Sequence, residues 1–208
     1  MTDYFVDFIN DVPDETLTFG VYQKFPNTPG IDSVAWLRAD VPESGSAGVK
    51  FTETYCVVNA DYSDDDAKGR YKASQTFDTK LGTAWRLIEK NGVSQFDKKI
   101  DPSNADNLIV IKNASKTTAS LGIGMSGKLS AIKRKVYVDA TAAFKVTPTF
   151  YVGVFTDLEI GDIITDDVIL ANKKIVFDGD NVATIRAYLK GHVFNIDVAY
   201  SNRASSSL

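Results

Sequence analysis

The segment Gly122-Ile123-Gly124-Met125-Ser126-Gly127-Lys128 matches both G-x-x-x-x-G-K and G-x-G-x-x-G. Either pattern can point backbone amides at phosphate oxygens, provided the loop opens a helix. Leu129 stands where a phosphate loop needs Ser or Thr for magnesium. The continuation to Val136 carries no helix cap and no helical stripe, so it predicts a strand. Glycines inside a strand mark a bulge or a close backbone approach. Nucleotide binding is therefore not expected, and no cofactor is.

Asp61, Asp64, Asp65 and Asp66 gather carboxylates as a calcium loop would. An EF-hand needs Gly at its sixth position and Glu at its twelfth. Counted from Asp61, those positions hold Asp66 and Lys72. The four acids stand as candidates for a different kind of calcium site, against the plainer reading of a solvated loop. Asp178-Gly179-Asp180-Asn181 reads as a tight turn.

Catalysis finds little support. Cys56 lies in the apolar run Tyr55 to Val58, the pattern of a small buried hydrophobe. The sole histidine, His192, falls at an expected hairpin tip. G-x-S-x-G, H-E-x-x-H and C-x-x-C are absent, and among 27 acids no pair suited to glycoside hydrolysis stands out. No catalytic residue is assigned. The remaining chemistry is aromatic. Tyr22, Trp36 and Tyr151 are the binding candidates, since exposed Tyr and Trp stack on sugars or enter a membrane interface, while most aromatics fill a core.

Period two dominates the elements that must position these groups. Tyr4, Val6 and Phe8 alternate, as do Leu17, Phe19 and Val21. Val136 to Val146 is the longest alternation, and Phe150, Val152 and Val154 resume it. Asn91-Gly92 is a hairpin signal because a type I′ turn needs positive φ at both central residues. Leu81, Ala84, Trp85 and Ile88 also fit a helical face, but the hairpin is the reading adopted. Lys190-Gly191-His192 predicts a second tip. No internal repeat is evident.

The expected fold is an all-β antiparallel β-sandwich of roughly ten to twelve strands with little or no helix. It is read as a single domain over residues 1–200 with a flexible C-terminal tail at 201–208. Net charge of −4 works against nucleic-acid binding. Lys133-Arg134-Lys135 reads as a solvated strand edge, or else as an anion contact. A lone cysteine forbids an intrachain disulfide. The absence of a basic n-region and of long apolar runs predicts a cytoplasmic protein without transmembrane segments, with signal-less export left open.

Val21-Tyr22-Gln23, Ser33-Val34-Ala35-Trp36 and Gly122 to Gly127 resemble stretches of small β-rich proteins with no assigned function. That resemblance implies no site residues. The N-terminal layout also resembles the aegerolysin type of signal-less, lipid-binding β-sandwich, in architecture and not in any defining motif. A non-enzymatic module for self-association or for a protein partner is the leading expectation. Its loose first strand and the Val136 to Phe155 pair supply the strand edges. A lipid- or carbohydrate-binding module, membrane-active in one form, is the alternative, and a carboxylate-based hydrolase is the third.

Overall fold

A computed structural model describes residues 2–25, 30–63, 70–99, 105–147 and 149–203. The chain is all-β, with 17 strands in four sheets among those residues. The strands are β1 (Asp3–Asn10), β2 (Leu17–Tyr22), β3 (Ile31–Ser33), β4 (Leu37–Val41), β5 (Ser46–Thr52), β6 (Tyr55–Ser63), β7 (Arg70–Thr79), β8 (Thr83–Lys90) and β9 (Val93–Lys99). They continue as β10 (Leu108–Ala114), β11 (Ala119–Met125), β12 (Lys128–Val136), β13 (Thr141–Lys145), β14 (Phe150–Phe155), β15 (Ile169–Ile175), β16 (Val182–Lys190) and β17 (Val193–Ser201). One 3-10 turn, Asp166–Val168, precedes β15.

Strands outnumber the sequence expectation because short edge strands such as β3 carry no readable alternation. The helical alternative at Leu81 to Ile88 is not adopted: Gly82 turns at φ +77° and β8 begins at Thr83. Both hairpin tips form as expected, the first with Asn91 and Gly92 at φ 54° and 77°. Gly122 to Met125 lies in β11, and Gly124 makes the close approach its strand reading implied. A Cβ there would sit 2.0 Å from the Lys128 carbonyl oxygen and 2.8 Å from Cys56 Sγ.

Strand orders are β17-β16-β1-β5, β9-β8-β10-β13, β15-β14-β2-β4 and β7-β6-β11-β12-β3, called here sheets I to IV. Most pairs are antiparallel, but β1 runs parallel to β16 and β10 parallel to β8. The first strand is therefore not a loose edge. It lies inside sheet I between β16 and β5.

Sheets I and II have the same plan, and so do III and IV apart from β3. Substituting β10 for β1, β11 for β2, β12 for β4, β13 for β5 and β14–β17 for β6–β9 converts one set into the other. The chain thus holds two equivalent halves, each of which lends strands to the other's sheets. Detail supports the equivalence. Buried Asn10 donates from Nδ2 to the carbonyls of Glu15 (2.8 Å) and Val41 (3.0 Å), and its Oδ1 accepts from Val12 N–H. Buried Asn113 donates to Thr117 and Val136, both at 2.8 Å, and accepts from Ser115 N–H. The turns they clamp match too: Gly45 N–H bonds Pro42 O, and Ala140 N–H bonds Tyr137 O. Ser44 and Asp139 hold the same positive φ, 54° and 64°.

One large core draws Phe8, Phe19, Trp36, Val57, Trp85, Ile111, Ile123 and Val152 from all parts of both halves. Alternation serves two faces. Leu17, Phe19 and Val21 enter that core while Tyr22, on the opposite face of sheet III, joins Ala35, Phe155 and Leu158. On sheet IV, Val57 points to the main core, whereas Cys56, Val58 and Ala60 form a separate cluster with Val34, Tyr71 and Ile132.

Candidate functional site

The segment from Asp157 to Val168 leaves sheet III and crosses onto that second face of sheet IV. Its start is fixed by two contacts. Leu158 occupies the space beside Gly20, where a Cβ would come within 2.6 Å of Leu158 Cδ2. Glu159 pairs with Arg38 at 2.6 Å. The chain then ties both edges of sheet IV together. Gly161 O accepts from Tyr71 N–H of β7 (3.1 Å), and Gly161 N–H donates to Ala35 O (3.1 Å). Ala35 N–H bonds Asp162 O, and Ile164 N–H bonds Ser33 O at the β3 edge. Sheet IV is consequently curled, with its edges bridged by this strap.

Between strap and sheet opens a cleft of about 770 Å³. Asp32, Tyr62, Tyr71, Ser120, Arg134 and Lys135 line its sheet side. Leu158, Ile163, Ile164 and Val168 make the strap side apolar, with Asp157, Thr165 and Asp167 exposed and Asp162 set deeper. A second cleft of about 300 Å³ shares Tyr62, Ser120 and Lys135, so the two form one groove that runs past Tyr62. Tyr62 is 51% exposed and lies against Tyr71, ring centroids 5.0 Å apart. This gives a supported aromatic face at the middle of the groove.

The charges are held in place. Arg134 Nε and Nη2 bond the two carboxylate oxygens of Asp32 at 2.6 and 3.3 Å. This fork-to-fork geometry fixes both side chains, and the Asp32 hydrogen bond raises the Arg134 pKa further above its ordinary value. Asp162 is nearly buried; one of its oxygens accepts from Arg70 Nε at 3.1 Å and the other from Glu159 N–H at 2.8 Å. Burial raises the Tyr71 pKa, partly countered by the Arg134 charge, so this residue presents a neutral phenol.

The residues singled out from sequence lie elsewhere. Tyr22 and Trp36 are fully buried, which removes both as free stacking surfaces. Trp36 instead fills the core and donates from Nε1 to Met125 O at 2.9 Å. Tyr151 is half-buried and stacks on Tyr22, with Lys24 Nζ 5.0 Å from its ring centre. Asp61 is exposed on β6 and lines the smaller cleft. Asp64, Asp65 and Asp66 lie outside the described residues. Among the described residues no three His, Cys, Asp or Glu side chains group to hold a metal. Cys56 is fully buried, and burial pushes its pKa up to about 11, so it is no nucleophile. His192 is exposed at its hairpin tip. In the basic run, Arg134 and Lys135 extend past the end of β3 and face the groove.

Groove residues went unassigned in the sequence because they come from many separated segments. Asp61 stood among the calcium candidates and Arg134 and Lys135 in the basic run, while Tyr62 and Tyr71 carried only their aromatic type. The sequence profile of the RhiA family matches residues 1–199, and the chain belongs to that family. Comparison with curated proteins and with solved structures gave no significant match in either case.

Proposed function

We propose that this protein is a non-enzymatic binding module whose groove takes an oligosaccharide. The observation that carries the reading is Tyr62, half-exposed and backed by Tyr71, at the centre of a groove walled by fixed charged groups. Sugars present apolar C–H faces to aromatic rings and hydroxyls to planar carboxylate and guanidinium groups. The groove offers both, and such concave sites with a few convergent polar groups are the usual form of ligand pockets. An antiparallel sheet curled by a strap gives the rigid support that such contacts require.

Two of the groove's acids are already committed to partners, which supports binding over turnover. Glycoside hydrolysis needs one carboxyl free to donate a proton and one free to attack or to activate water. Both oxygens of Asp32 and both of Asp162 are already occupied by guanidinium or backbone N–H groups. The experiment is a glycan array followed by calorimetric titration of the best glycan against the wild type and Tyr62→Ala. The expected result is binding that Tyr62→Ala weakens at least tenfold, with no hydrolysis of the bound glycan. Absence of glycan binding, or equal binding by the variant, overturns the reading; hydrolysis would replace it with the enzymatic one.

A further inference from the structure

The two equivalent halves end in equivalent structures of opposite charge. In the first half, β1 and β16 run parallel to a common end. There the Asn10-clamped loop, the Pro42 to Gly45 turn and the β16–β17 hairpin tip meet: Asp11 N–H bonds Ala187 O, and Asn10 N–H bonds Gly45 O. In the second half β8 and β10 end in the same way, beside the Tyr137 to Ala140 turn and the β8–β9 tip.

At the first end, exposed Asp11, Asp14, Glu15 and Glu43 outnumber Arg186 and Lys190, and Asp11 pairs with Arg186. At the second, exposed Lys90, Lys112, Lys116 and Lys135 outweigh Glu89 and Asp139, which pair with Lys116 and Lys112. One scaffold thus displays an acidic end and a basic end. Both carry large exposed apolar groups, which folding alone does not require. Val193 is 65% exposed at the acidic end; Val93 is 60% and Tyr137 68% exposed at the basic end, with Val138 beside it.

We infer that the basic end of one copy docks on the acidic end of another. The occupant is a second copy of this chain because the surface of opposite charge is present on the same molecule. Opposite charges steer the encounter, and Val93, Tyr137 and Val138 supply apolar area at its centre. Since the two ends differ, the contact is head-to-tail, and repetition gives a ring or an open chain rather than a symmetric dimer.

The test is sedimentation velocity over a concentration series at about 20 mM and about 500 mM NaCl, where screening collapses such contacts. Wild type should form species beyond the monomer at low salt and revert at high salt. Lys90→Glu with Lys116→Glu, and separately Asp14→Lys with Glu15→Lys, should each abolish association while leaving the circular dichroism spectrum unchanged. Mixing these two variants should restore it, now as heteromers. A wild type that stays monomeric at low salt overturns the inference, and so does association indifferent to the reversals. Binding of the wild type to phosphatidylserine vesicles with no self-association would overturn it in favour of a lipid surface.

Discussion

Replacing Asn113 with alanine removes a side chain that joins three backbone segments. Its Nδ2 donates to Thr117 O and Val136 O, and its Oδ1 accepts from Ser115 N–H and Ser115 Oγ–H. Thr117 is exposed, so water can take over that carbonyl. Val136 and Ser115 are buried, and their backbone groups would remain without a partner. Each buried unsatisfied group costs about 1–3 kcal/mol. The variant should therefore lose about 3 kcal/mol, which for a domain of this size lowers Tm by roughly 6–12 °C. Asn10→Ala should lose a similar amount, because Asn10 makes the same contacts with Glu15, Val41 and Val12. Urea unfolding of both variants, with m unchanged, measures this directly. Asn→Asp at either position should be no milder, since it sets an oxygen against two carbonyls. A loss below about 1 kcal/mol at either site would refute the clamp, and a large loss at only one would refute the equivalence of the halves.

Two further outcomes follow from the core. Cys56 should resist thiol reagents in the folded protein at pH 8, because it is buried and its pKa is pushed up to about 11; labelling with DTNB should become fast only in denaturant, and rapid labelling of the native protein would show that the second face of sheet IV opens. Gly124→Ala should prevent proper folding, since its Cβ would sit 2.0 Å from a backbone oxygen, whereas Gly127→Ala, with open space around its Cβ and only a positive φ of 75° to tolerate, should fold at a modest cost in Tm.

The fold class was legible because strands with a buried face force period two, as in Leu17, Phe19 and Val21. Turn chemistry was legible at Asn91-Gly92 for the same reason of local sterics. The duplication was not. Thr83 to Asp97 and Ala183 to Asp197 occupy equivalent strands, yet share only Arg, Lys, Val and Asp at four of fifteen positions. Sheet geometry asks only that a position be apolar or polar, and Trp85 and Ile185 satisfy the same demand. Asn10 belongs to the turn-rich run Asn10-Asp11-Val12-Pro13-Asp14, which gives no sign of burial; its partner Val41 is distant in sequence. Tyr22 and Trp36 read as binding candidates because residue type does not reveal that sheet III is covered on both faces. The groove needs Asp32, Tyr62, Arg134 and the strap together, and their juxtaposition follows from the curl of sheet IV rather than from spacing.

The most direct measurement is a map of backbone amide chemical shifts during titration with the glycan selected on the array. Saturable shifts are expected at Tyr62, Ser120, Arg134, Lys135 and along Leu158 to Val168, with little change at the β16–β17 tip. Saturable shifts confined to that tip, or to the Tyr151 face of sheet III, would contradict the proposed groove.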